Sequence, residues 1–123
     1  MRYEHITMYV RDLENALSFY RDLLGLEMLR RISAENMKIA FLGEAGQPSI
    51  ELIEGGGEVP VKSGFSLGFR VKSLNEATRM MENAGYPLLR GPFSPNDAVR
   101  FSFFSDPDGI EIQLLEYRDH SGS

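Results

Sequence analysis

A chain of 123 residues is long enough to bury one core without cross-links, and its apolar and charged shares, 42% and 25%, are those of an ordinary globular protein. The net charge of −5 argues against a nucleic-acid partner, and the lack of any cysteine removes disulfides, thiolate metal ligands and a cysteine nucleophile together. No apolar run approaches the roughly 20 residues of a membrane span and no signal-peptide pattern is visible, so the expected setting is the cytoplasm, with no membrane partner.

In chain order, residues 5–10, HITMYV, alternate as a strand, with Ile6, Met8 and Val10 on a core face and His5, Thr7 and Tyr9 on a more polar one. Asp12 is placed to cap a helix. Leu13, Ala16, Leu17, Tyr20, Leu23 and Leu24 then recur at helical spacing, and Gly25 supplies the stop. Strands are predicted at about 27–32, 37–42 and 49–54, separated by turn-type residues. The glycine-rich stretch 55–64 reads as a joint. After it come a strand at 65–71 and a helix introduced by the Ser73–Glu76 capping box and ended at Gly85. A short strand near 88–90, a loop over 91–98 and strands at 99–104 and 110–116 complete the chain. The last strand is entered through the turn Asp106-Pro107-Asp108-Gly109. Phe101, Phe103 and Phe104, with the methionines of the second helix, read as core, and 120–123 as a frayed polar tail.

Two echoes run through this order. IELIE at 50–54 returns as IQLLE at 112–116, and VRDLENA at 10–16 returns as VKSLNEA at 71–77, displaced by nearly the same distance. The expectation is one α+β domain spanning 1–123, made of two tandem βαβββ modules at about 1–56 and 64–117 that form curved mixed sheets. The doubled order, the opening HITMYV, the D-x-x-x-A-x-x-F-Y-x-x-x-L-G run from Asp12 to Gly25 and the DPDG-strand finish resemble the vicinal oxygen chelate superfamily. That group takes in glyoxalase I, the bleomycin-resistance proteins and the extradiol dioxygenases.

In the metal-dependent members of that superfamily the ligands come from the start of each module's first strand and from each module's last strand. The resemblance therefore implies His5, Glu51 and Gln113 as ligands, with Ser66 at the fourth position. One imidazole, one carboxylate and one amide suit Zn, Ni, Co or Mn, with an open position for water or substrate. No organic cofactor is evident. His5 reads equally as a hydrogen-bonded histidine at a strand start. Glu111, two residues before Gln113, is either a stand-in ligand or base or a solvated edge carboxylate. Arg70 would hold an anionic substrate or a surface ion pair, and Arg100 with Asn96 and Asp97 would wall the pocket or simply connect strands. The leading expectation is a homodimer carrying out metal-dependent lyase or isomerase chemistry on a small α-oxygenated substrate, with Glu51 as base. The alternative is a metal-free small-ligand-binding protein of the bleomycin-resistance kind. An extradiol dioxygenase fits least, because Ser66 stands where its triad needs a histidine.

Overall fold

The computed structural model describes residues 1–57, 59 and 64–118. The expectations for the tail and for most of the joint fall on residues outside the described ones. The chain runs β1 (His5–Val10), α1 (Leu13–Leu17), a π-helical stretch (Ser18–Leu23), β2 (Glu27–Ala34), β3 (Met37–Gly43) and β4 (Ser49–Glu54). It repeats as β5 (Ser66–Arg70), α2 (Leu74–Asn83), β6 (Arg90–Asn96), β7 (Val99–Ser105) and β8 (Glu111–Tyr117). Two compact units result, Met1–Val61 and Lys62–Ser123. One sheet has the order β1-β4-β3-β2, the other β5-β8-β7-β6. Among the described residues no helix is long and apolar enough to cross a membrane.

The two sheets share a register as well as an order. β1 pairs with β4 in parallel, Thr7 opposite Glu51, and β5 pairs with β8 in parallel, Gly68 opposite Gln113. His5 and Ser66 each precede that pair by two residues, so His5 matches Ser66 and Glu51 matches Gln113. Alternation sends Met8, Val10, Ala40, Leu42 and Leu52 into the first core, and Phe104, Ile112 and Leu114 into the second. His5, Thr7, Phe41 and Glu51 are left on the other face of the first sheet, and Ser66, Gly68, Phe103 and Gln113 on that of the second.

The last glutamate of each echo has a structural task. Glu54 Oε1 accepts the Leu13 N–H at 2.7 Å, and Glu116 Oε1 accepts the Leu74 N–H at 2.7 Å. Each carboxylate sits at the positive end of its module's helix and satisfies a donor that the helix itself cannot. Asp12 and Ser73 complete the caps by accepting from Asn15 N at 2.9 Å and Glu76 N at 3.2 Å. In the DPDG turn the buried Asp106 carboxylate accepts from both Asp108 N and Ile110 N at 2.8 Å, which fixes where β8 begins.

Four expectations need correction. The first helix is α-helical only to Leu17 and continues as a π-helix, with Leu24 N donating to Phe19 O at 2.9 Å. The wider turn accompanies the burial of two consecutive aromatics, Phe19 and Tyr20, packed edge to face at 4.9 Å. A 3.6-residue pattern cannot report that step. The stretch expected as a loop is largely β6, since Pro92 and Pro95 are tolerated on the outermost strand of a sheet. Phe101 and Phe103 lie on the face opposite the buried Ser102 and Phe104, in contact with Phe93. Met80 is exposed, whereas Met81 is fully buried.

Candidate active site

Parallel pairing of β1 and β4 brings a histidine, a threonine and a glutamate to one point of the first unit. His5 Nε2 lies 3.3 Å from Glu51 Oε1, and Thr7 Oγ1 donates to the same oxygen at 2.6 Å. Glu51 is the more sheltered partner, its side chain 14% exposed against 35% for His5. Oε1 is thus held twice, while Oε2 has no partner among the described residues. Phe41, opposite Glu51 on β3, sets its ring edge-on to His5 at 6.0 Å and carries the Arg30 guanidinium over its face at 4.5 Å. A cavity of about 440 Å³ opens here, lined by His5, Arg30, Phe41, Ser49 and their neighbours.

The separation of the first pair bears on what it can hold. Two donors each about 2.0–2.1 Å from a tetrahedral ion stand about 3.3–3.4 Å apart. His5 Nε2 and Glu51 Oε1 already have that spacing. An imidazole and a carboxylate are suitable donors for a first-row divalent ion, so the pair fits two corners of a metal site. Among the described residues no group of three or more His, Cys, Asp and Glu side chains comes together.

The second unit repeats the row across its sheet with different chemistry. Gly68, Gln113, Phe103 and Arg90 stand where Thr7, Glu51, Phe41 and Arg30 stand in the first. Arg90 lies over the Phe103 ring at 4.2 Å, as Arg30 does over Phe41, and is ion-paired with Glu111 at 2.5 Å. Gly68 offers Gln113 no hydroxyl, and a Cβ there would come within 3.4 Å of Gln113 Oε1.

Ser66, Arg70, Glu111 and Gln113 therefore share one face, with Ser66 directly opposite Glu111. Glu111 is a half-buried carboxylate paired with Arg90. Arg70 stacks over Tyr117 at 4.3 Å and borders a notch of about 370 Å³ with Val71 and Lys72. Arg100 lies opposite Glu116, on the face of Ser102 and Phe104, and so points away from Gln113. Asn96 is tied into the β6–β7 turn, where its side chain accepts the Ala98 N–H at 2.7 Å. Arg100 thus leaves the Gln113 face, whereas Asn96 pairs with Val99, which shares that face with Phe101 and Phe103. Thr7, Arg30 and Arg90 were not singled out from the sequence. Alternation from His5 could have found Thr7, but a bulge between Met28 and Arg30 hides Arg30 from any alternation rule.

A sequence model of the Glyoxalase/Bleomycin resistance protein/Dioxygenase superfamily matches residues 2–114. The lactoylglutathione lyase of Salmonella typhimurium is 30% identical over 129 residues, covering 97% of this chain and 95% of that protein. The trypanothione-dependent glyoxalase I of Leishmania major superposes with a TM-score of 0.79 at 26% identity, covering 94% of this chain and 86% of that one. An antibiotic binding protein from Streptomyces sp. CB03234 has the same fold, with a TM-score of 0.74 at 21% identity over 95% of this chain and 96% of that one.

Proposed function

This chain belongs to the Glyoxalase/Bleomycin resistance protein/Dioxygenase superfamily, and from that premise we propose that it is a metal-dependent lyase or isomerase acting on a small α-oxygenated substrate. The observation that carries the reading is the His5–Glu51 pair at ligand spacing beside a cavity. His5 and Glu51 would hold a divalent ion, Zn, Ni, Co or Mn, with Gln113, the register match of Glu51, as third donor and Ser66 beside it. When bound, the ion supplies Lewis acidity toward neighbouring substrate oxygens.

The rest of the chemistry falls to the chain's own groups. Glu51 is the base: its Oε2, unengaged among the described residues, takes the proton from the carbon beside the carbonyl and returns it to the neighbouring carbon, while the substrate's own hydroxyl proton passes to the former carbonyl oxygen, so that atoms and charge balance. Thr7 fixes the orientation of that carboxylate through Oε1. Gln113, an amide where its counterpart is a carboxylate, orients without accepting a proton. Glu51 is thus a sole base. The protein works as a homodimer in the cytoplasm, since open sheets with exposed edge residues such as Phe93 are commonly covered by a second copy.

The test is a hemithioacetal isomerase assay on protein loaded in turn with each of the four ions. Turnover by wild type that Glu51→Gln abolishes is the expected result. Equal rates in the two proteins with every ion would overturn the enzyme reading. A ligand-binding role without chemistry is the second reading, supported by the cluster of Phe93, Phe101 and Phe103, which offers aromatic surface on the Gln113 face.

A further inference from the structure

The two units differ most informatively at their stacked arginines. Each lies over a phenylalanine that stands directly opposite the glutamate or glutamine of the echo. In the second unit the Arg90 charge is answered from within the chain, by Glu111 on β8. The register that matches Glu51 to Gln113 matches Glu111 to Ser49. Serine has no charge to offer, and Arg30 has no carboxylate partner among the described residues. Arg30 and Ser49 instead line the same cavity as His5. Glu4 also borders that cavity, on its exposed rim and without an ion pair to Arg30.

A bulge delivers Arg30 to this place. The register of β2 against β3 shifts between Met28 and Arg30, which sets Arg30 opposite Phe41. Such irregularities re-aim a side chain where a regular strand would turn it the other way. An arginine so placed, stacked and unpaired beside a histidine–glutamate pair, is a recognition group for a planar anion.

We infer that the first unit's cavity binds a ligand carboxylate on Arg30, in the place that Glu111 fills on Arg90, and that Ser49 is the substitution that leaves this place open. The inference rests on the proposed function for the identity of the reacting end and deepens it. The substrate carries a carboxylate remote from its α-oxygens, and Arg30 is the specificity residue that reads it.

The experiment measures binding apart from turnover. Two probes are titrated into isotope-labelled, metal-free protein and followed by amide chemical shifts. One is the hemithioacetal of methylglyoxal with 3-mercaptopropionate, the other that with 3-mercaptopropionamide, its neutral counterpart. Wild type is expected to prefer the carboxylate by about tenfold, at the low end for a charge-assisted pair because the site is partly exposed. Arg30→Gln removes the preference. Ser49→Glu removes it as well, because the new side chain supplies the carboxylate internally, whereas Ser49→Ala keeps it. Equal binding of the two probes by wild type would overturn the inference, as would a preference that survives either Arg30→Gln or Ser49→Glu. Failure of the lyase reading looks different: no turnover with any ion, with the binding preference intact.

Discussion

Replacing Thr7 by valine removes one hydroxyl and little volume, and it isolates the contact that holds Glu51 in place. The 2.6 Å bond from Thr7 Oγ1 to Glu51 Oε1 is charge-assisted, a class that contributes about 1.5–3 kcal/mol net. Two consequences of its loss oppose each other at a metal ion. The carboxylate oxygen loses a donor that competes with the ion for it, which favours coordination, but the side chain also regains rotamer freedom that costs up to about 1.5–2 kcal/mol to remove again on binding. Orientation wins, because Glu51 is largely sheltered and already lies against His5. Loss of such an outer partner typically weakens metal affinity by 10- to 100-fold. We expect about tenfold for Thr7→Val, which corresponds to about 1.4 kcal/mol. Titration calorimetry with zinc reads it directly, and Thr7→Ser should recover most of the loss. Affinity of Thr7→Val within a factor of two of wild type, in a protein that unfolds at the same denaturant concentration, would refute the claim that this bond positions the ligand.

Two further outcomes follow from the fold and the assembly. Glu54→Ala and Glu116→Ala should each lower stability by about 1–2 kcal/mol in urea unfolding, because each strips a helix N-terminus of its carboxylate partner; a loss confined to one of the two would break the proposed equivalence of the modules. Light scattering at micromolar concentration should return twice the chain mass of 13.9 kDa, and a monomer mass throughout would contradict the homodimer.

Much of this architecture was legible because repeated sequence leaves a repeated register. The echo IELIE/IQLLE matched Glu51 to Gln113, and the structure sets both opposite the first strand of their module in the same parallel pairing. The final glutamates of the echo were legible as letters but not as caps, since a strand residue reaching a helix N-terminus is a tertiary contact. β6 was misread because glycine and proline signal turns locally, whereas an outermost strand can carry prolines that a central one cannot. The aromatics Phe101 and Phe103 were misplaced by hydrophobicity alone. Adjacent Phe103 and Phe104 cannot both face a core from one strand, and alternation decides for Phe104. Arg30 was out of reach because its placement depends on a bulge, which no short-range pattern announces.

The claim at the centre of the account is that His5 and Glu51 are metal ligands, and calorimetric titration of zinc, nickel, cobalt and manganese into wild type and Glu51→Ala tests it most directly. The site has a single anion at its heart, so removing the Glu51 carboxylate should weaken the preferred ion by at least 100-fold, while Gln113→Glu, which restores a second carboxylate, should tighten it. Wild type that binds none of the four ions better than Glu51→Ala does would contradict the account and leave the chain a binding protein.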